Sequence, residues 1–303
     1  MRLYVAGRIN YDTVILVDRP LERGRKYVGK VLVEGFGGTG TNIAIAAART
    51  GARDVHLFAA IGDDLAEKAL AFLKSEGVNT EHVMIFRGSS GKALILVDNL
   101  GEPVVVTLPG VNNLLTPEHV PRDIGEADGV IVANVPLSVA KSITMQTTSS
   151  QAIFMDPGAL WNPFELAEEV KGECFLLPNK REFDHHKNSA SITDRCITIV
   201  KMGSQGSATH IHSRRRIITM SSLPIEKLGM KIVSTSGCGD VFTGVFAEIY
   251  LESKSLEKAL IYATIAAGLK TTKTLSYDSP KRTELEEAVE KYSKYLSINE
   301  TSF

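Results

Sequence analysis

Apolar positions in this chain fall into two arrangements, short unbroken runs and helical repeats, and the two alternate along most of its length. Unbroken runs at 2–6 (RLYVA), 55–61 (VHLFAAI), 130–133, 152–156, 174–177 and 196–201 read as strands buried on both faces, because a strand with one wet face alternates apolar and polar residues. Between them, 41–50 (TNIAIAAART) and 64–76 read as helices, stopped by Gly51 and Gly77. The last third is mainly helical, over 238–251, 256–271 and 283–295. Buried strands interleaved with helices predict an α/β fold whose central, mostly parallel sheet carries helices on both faces.

Two stretches break the rhythm. Residues 92–97 and 103–108 flank Asp98-Asn99-Leu100-Gly101-Glu102 and read as a hairpin. Residues 13–17 and 30–34 are strand-like with no helix between them. Antiparallel pieces inserted into a parallel-sheet protein predict a small β lid, built from about 10–36 and 90–110. Without internal repeats or a low-complexity linker, 1–303 reads as one domain with the lid folded onto it.

Composition narrows the partners. With 34 basic and 35 acidic residues the formal charge is -1, which gives no electrostatic footprint for nucleic acid. The longest basic run, Arg214-Arg215-Arg216, is too short for one and reads as a solvated hairpin or loop. No apolar run approaches the roughly 20 residues of a membrane helix. The N-terminus reads as a strand entering a turn and not as a secretory leader. Three widely spaced cysteines, Cys174, Cys196 and Cys238, without a metal-like pair, predict reduced thiols and a cytoplasmic setting.

The segment Ser234-Thr235-Ser236-Gly237-Cys238-Gly239-Asp240 leads into the apolar pattern VFTGVFAEIYL. Unpaired N–H groups at such a helix start, together with the helix dipole, favour an anion. A carboxylate there repels a phosphate unless it has a task, and the task on offer is to accept a proton from an attacking hydroxyl. An N-capping loop with an acidic first turn is the plain alternative. Gly35-Phe36-Gly37-Gly38-Thr39-Gly40-Thr41-Asn42 also opens a helix and matches GxGxxG, with Asp63 further on. A dinucleotide-binding dehydrogenase is therefore a rival, although the motif follows a lid strand and tight glycine packing would also explain it. In Pro178-Asn179-Lys180-Arg181-Glu182, after the strand ending at Leu177, Asn179 and Glu182 suit the hydration shell of Mg²⁺ or a helix cap. Lys201-Met202-Gly203-Ser204-Gln205-Gly206 runs from a strand into a glycine turn. In Gly7-Arg8-Ile9-Asn10-Tyr11-Asp12, Asn10 and Asp12 suit either a polyhydroxylated ligand or a turn.

Taken in order, these motifs resemble the ribokinase-like, or pfkB, family of carbohydrate kinases, from the first strand to about Pro280. Gly37, Gly38 and Asn42 match its Gly-Gly…Asn segment, and Asn179 and Glu182 its Asn-x-x-Glu. Thr235, Gly237, Gly239 and Asp240 match its Asp-Thr-x-Gly-Ala-Gly-Asp signature. The resemblance implies a three-layer α/β/α kinase with a β lid that transfers the γ-phosphoryl of ATP, with Mg²⁺, to a hydroxyl of a sugar or nucleoside. It makes Asp240 the base and the amides of Gly237, Cys238 and Gly239 the anion hole. It places Asn179, Lys201, Gly203 and Gly206 on the nucleotide side and Glu182 at the metal, through water. Asn10, Asp12, Gly37, Gly38 and Asn42 would face the acceptor, and the lid would close over it and could pair two copies into a homodimer.

The chain departs from the family at several points. Ser234 stands where the signature begins with Asp, a position linked in ribokinases to a monovalent cation, which argues against potassium activation. Cys238 replaces Ala, and a helix start would lower its thiol pKa. Thr39 replaces a frequent Lys, and no acidic residue lies near Ala133-Asn134-Val135-Pro136. The acceptor, the choice of ATP or ADP, and a silent sugar sensor on the same fold all stay open. Tyr11 or Trp161 could offer a nucleoside an aromatic face, though Trp161 reads better as packing.

Overall fold

The computed structural model describes residues 1–97, 103–186 and 194–302. Its strands are β1 (Arg2–Ala6), β2 (Asn10–Val17), β3 (Gly29–Gly37), β4 (Asp54–Gly62), β5 (Val78–Asn79), β6 (Val83–Phe86), β7 (Gly91–Val97) and β8 (Pro103–Leu108). They continue as β9 (Gly129–Val132), β10 (Ala152–Met155), β11 (Glu173–Leu176), β12 (Ile197–Lys201), β13 (Ser207–Ile211), β14 (Arg216–Met220) and β15 (Ile298–Ser302). The helices are α1 (Thr39–Thr50), α2 (Ala66–Ser75), α3 (Leu137–Gln146), α4 (Phe164–Ala167), α5 (Lys180–His186), α6 (Cys238–Ser253), α7 (Leu256–Lys270) and α8 (Arg282–Tyr292).

The main sheet runs β15-β14-β13-β12-β11-β10-β9-β1-β4-β5, with β6 beside β4. Pairing is parallel from β12 to β5 and antiparallel from β12 to β15. Helices cover both faces, as the unbroken apolar runs require. One face packs α1, α6 and α7 through Ile43, Val245, Phe246 and Ala263, and the other packs α3 and α4 through Ile143 and Phe164. Phe154, Phe175, Phe246 and Tyr250 form a continuous aromatic block between sheet and α6.

A separate four-stranded sheet, β3-β2-β7-β8, is the lid. Its two outer pairings are antiparallel, but its central pair, β2 with β7, is parallel. The all-antiparallel expectation is corrected here: two hairpins from distant parts of the chain lie side by side. The turn 98–102 lies outside the described residues. Val105 and Thr107 line the cavity below, as the alternation of a strand allows, and Val104, Val105, Val106 and Leu108 are all exposed.

The expected reduced thiols are also corrected. Cys174 on β11 and Cys196 before β12 are joined in a disulfide, because adjacent parallel strands bring together residues 22 apart in sequence. Cys238 alone is free. The edge strands β13 to β15 escaped the sequence reading, since their mixed polarity gives no unbroken apolar run. Arg214-Arg215-Arg216 turns the corner between β13 and β14, with Arg215 in the left-handed region at φ 50. Among the described residues no helix is long and apolar enough to cross a membrane.

Candidate active site

Strand ends and helix starts meet at the carboxyl edge of the main sheet, where open α/β sheets place their ligands. β1 leads through Arg8 and Asn10 into the lid, β10 ends before Asp156, β11 before Asn179, and β12 at Lys201. Above them a cavity of about 230 Å³ is lined by Arg8, Asn10, Asp12, Asn42, Asp240 and Ser276, with β7 and β8 as its roof.

Gly237 opens α6 at φ 78, and a Cβ there would collide with the Ser276 carbonyl, so the position needs glycine. The N–H groups of Gly237, Gly239 and Asp240 have no backbone partner among the described residues. The amide of Cys238, expected beside them, turns back to the Thr235 carbonyl at 3.3 Å. The thiol is corrected as well: burial pushes it up to about 11, which outweighs the lowering expected at a helix start.

Asn42, from the first turn of α1, donates through Nδ2 to Asp240 Oδ2 at 2.7 Å and accepts from Ser276 Oγ at 3.1 Å. Burial raises the Asp240 pKa to about 7; the bond from Asn42 and the charge of Lys201 oppose that rise, and Asp156 and Asp12 add to it. Asp12 is likewise raised to about 6 by burial, against a bond from Ser276. Its Oδ1 is buried with no hydrogen-bond partner and is free to accept one from a ligand hydroxyl. Asn10 holds its place by accepting from Asn112 Nδ2 at 2.9 Å. Gly37 and Gly38 give the backbone close passage: a Cβ on Gly37 would strike the Asp12 carboxylate, and one on Gly38, at φ 90, the Arg8 carbonyl.

Lys201 Nζ lies 2.5 Å from Asp156 Oδ2 and 3.2 Å from Thr243 Oγ1, and Thr243 donates to the same carboxylate at 2.6 Å. The ammonium is thus tied under α6 beside Gly239. Asn179 and Glu182 cap each other: Asn179 N–H and Nδ2 donate to the Glu182 carboxylate at 2.8 and 2.5 Å, and Glu182 N–H donates to Asn179 Oδ1 at 2.9 Å. Burial, more than the opposing Asn179 bond, keeps Glu182 above its ordinary value, and the charges of Asp156 and Lys201 both reach it. Both its oxygens are engaged, so a Mg²⁺ ion, which keeps several waters, fits it only through water. Gly203 and Gly206 sit at φ 58 and 86 in the β12–β13 turn, and that turn accounts for them outside the cavity.

The glycines of the GxGxxG match serve packing: Gly40 lies against the backbone of Gly7 and Arg8. Asp63 accepts from the Gly88 amide. Trp161 is buried with Nε1 on the Val135 carbonyl at 2.9 Å and is a packing residue. Tyr11 packs edge-on against Phe36.

Sequence reading missed four members of this neighbourhood. Asp156 follows an apolar run and precedes Pro-Gly, and its place at a strand's carboxyl end was the available sign. Ser276 lies in a loop with no pattern. Arg8 reaches the cavity wall, with Nε on the Asn134 carbonyl and Nη2 on Asn113 Oδ1, both at 3.0 Å, and no carboxylate pairs with it among the described residues. Lys270 is fully buried, its Nζ on the carbonyls of Ser234 at 3.2 Å and Lys273 at 3.4 Å. Desolvation lowers its pKa, while Cys238, Asp278 and Asp240 pull it back up.

The raised pKa of Asp240 has a stability consequence. Between its ordinary 3.8 and about 7 the folded protein holds a proton that the unfolded chain releases. Stability from this residue is therefore full at low pH and lost as pH rises through 7. Asp240→Asn is expected to be more stable than wild type at pH 8, by on the order of 1–4 kcal/mol, and not at pH 4. Urea denaturation at the two pH values measures this; an equal effect at both would show that the carboxylate is not held against its charge.

The pattern that defines the pfkB family carbohydrate kinases matches residues 2–283. The chain is 26% identical to a deoxyribokinase of Salmonella typhi, over 99% of this chain and 100% of that one. It is 29% identical to an ATP-dependent ribose-1-phosphate kinase of Halopiger xanaduensis, over 89% and 91%. Its fold superposes on a ribokinase from Cryptococcus neoformans var. grubii serotype A in complex with ADP, with a TM-score of 0.80, 23% identity and coverage of 94% and 99%. This chain belongs to the pfkB family of carbohydrate kinases, and is a phosphotransferase that acts on an alcohol group of a sugar or nucleoside.

Proposed function

We propose that the chain transfers the γ-phosphoryl group of ATP to a hydroxyl of a sugar-sized acceptor, with Asp240 as the base. The observation that carries this reading is one juxtaposition: the Asp240 carboxylate and the free first-turn amides of α6 share the floor of a lid-covered cavity. An acceptor there meets the free oxygen of Asp12 and the side chain of Asn10, which orient its hydroxyls. Asp240 takes the proton of the attacking hydroxyl. The amides of Gly237, Gly239 and Asp240 and the dipole of α6 receive the charge on the phosphoryl oxygens. Lys201 adds positive charge from below, and Asn179, Gly203 and Gly206 line the approach of the nucleotide. Mg²⁺, held through water by Glu182, supplies charge neutralisation on the phosphates when bound. The lid excludes water, the competing acceptor.

Two features speak for a sugar over a nucleoside. The cavity, about 230 Å³, lies below the roughly 300–1,000 Å³ of drug-sized ligand sites. Arg8 brings in a half-buried guanidinium that has no carboxylate partner among the described residues, which favours an acceptor bearing an anionic group such as a phosphate or carboxylate. The family resemblance to a ribose-1-phosphate kinase points the same way. Lys270 bears on the monovalent cation: its ammonium already bridges the Ser234 and Lys273 carbonyls and holds the loop leading to Gly237. We infer that this fixed charge makes potassium unnecessary. ATP as donor fits a cytoplasmic setting, and the exposed apolar face of β8 suits pairing of lids between two copies; a monomer by light scattering would remove that last element.

The test is nucleotide consumption with Mg²⁺ over free pentoses, sugar phosphates, sugar acids, inositols and nucleosides, in sodium and potassium salts. One acceptor class is expected to stimulate turnover equally in both salts, and Asp240→Asn to slow it by about 10²–10⁴-fold. Arg8→Gln is expected to raise KM for an anionic acceptor by roughly 10–100-fold with kcat kept. Full activity in Asp240→Asn would remove the base. Stimulation by potassium would overturn the role of Lys270, and an Arg8→Gln enzyme with unchanged KM the anionic acceptor.

A further inference from the structure

At the opposite, amino edge of the main sheet a second cluster of chemistry-bearing side chains stands apart from the nucleotide and acceptor groups. Tyr4 on β1 and His56 on β4 are register partners, and their rings stack with centroids 4.8 Å apart. His82, from the loop after β5, packs against both rings, at 5.4 Å from Tyr4 and 5.6 Å from His56. Next to it is Glu81, whose own amide is fixed by the Asn79 side chain at 2.9 Å. One ligand atom each from His56, Glu81 and His82 lie within 4.8 Å of one another.

The partners of each ring assign a donor nitrogen to it. His56 Nε2 faces Asp54 Oδ1 at 2.8 Å, and since a carboxylate only accepts, Nε2 holds the hydrogen. Its other nitrogen, Nδ1, is buried with no partner, on a side chain only 6% exposed. The Tyr4 hydroxyl gives its one hydrogen to Asp123 Oδ2 at 2.5 Å, since a carboxylate only accepts. His82 Nε2, 3.0 Å from the same hydroxyl, must then donate to it, which leaves Nδ1 as the nitrogen that can face a metal. The far nitrogen of His56 is held by a carboxylate and that of His82 by a hydroxyl that is itself bonded to Asp123, the kind of outer support that metal-binding histidines ordinarily have. Arg2 completes the surroundings, pairing Asp54 and reaching Asp123 and Glu126.

We propose that His56, His82 and Glu81 form a transition-metal site of the zinc class, separate from the kinase centre. Two imidazoles and a carboxylate are a donor set that zinc takes with water in the fourth position, and they exclude Mg²⁺ and Ca²⁺, which prefer all-oxygen shells. Zinc ligands stand about 2.0–2.2 Å from the ion, so binding draws the exposed Glu81 inward and ties the β5–β6 loop to β1 and β4. The site fills the one bond that buried His56 lacks, and its role is structural.

Isothermal titration of chelator-stripped full-length protein with ZnCl₂ tests this, alongside thermal denaturation with and without the metal. One equivalent of zinc is expected to bind, raising the melting temperature. Glu81→Gln and His82→Ala, whose side chains are not in the buried core, are expected each to weaken binding by at least about 10-fold and to lose the thermal shift. Co²⁺ in place of zinc should give the absorption of a tetrahedral site in wild type only. No stoichiometric zinc binding in wild type, or equal affinity in both variants, would overturn the proposal and assign any uptake to the other histidines or Cys238.

Discussion

The site depends on a steric constraint: the first two turns of α1 and α6 must approach backbone to backbone. A Cβ on Gly244 of α6 would come within 2.5 Å of the Ile43 carbonyl, and one on Gly7 within 2.5 Å of Gly40 Cα. Where α6 begins, Gly237 lets the chain pass under the Ser276 carbonyl. Because these contacts carry no side chain, Asn42 reaches Asp240 at 2.7 Å and Ser276 reaches Asn42. A larger residue at Gly244 would wedge the two helices apart, one at Gly7 would push on the start of α1 and one at Gly237 on the start of α6, and in each case the carboxylate would lose the bond that aims it.

The same closeness creates an electrostatic conflict. Asp12, Asp156, Asp240 and Glu182 crowd one end of the sheet, and burial pushes Asp12, Asp240 and Glu182 towards their neutral forms. Two ammonium groups counter this from within the protein, Lys201 on Asp156 and Lys270 on two carbonyls behind the helix start. Asp156 is thereby committed to an ion pair, whereas Asp12 and Asp240 are left with raised pKa values near 6 and 7. The protein holds two carboxylates at a stability cost, and such strain is common where carboxylates do chemical work.

Much of the fold was legible because the strands of a covered parallel sheet must be apolar on both sides. Runs such as VHLFAAI and AIFM could be little else. The lid strands were legible too, but not their parallel central pair, since pairing between segments some 80 residues apart leaves no local trace. At the site, Gly237, Gly239 and Asp240 were found because a helix start has a sequence pattern. Ser276, Arg8 and Lys270 were missed because each reaches the site from a loop or a helix end, where nothing local distinguishes a site residue. The disulfide was hidden for the same reason, its partners being adjacent only across strands.

The dependence of kcat/KM on pH, measured with the preferred acceptor from pH 5 to 9, bears most directly on the account. An ascending limb with its midpoint near 7 is expected, where burial places Asp240, because only the ionised form accepts a proton. The limb should be missing from the residual rate of Asp240→Asn, which separates it from ionisation of the nucleotide. A flat profile, a midpoint near the ordinary carboxylate value, or the same limb in the variant would contradict the assignment of Asp240 as the buried base.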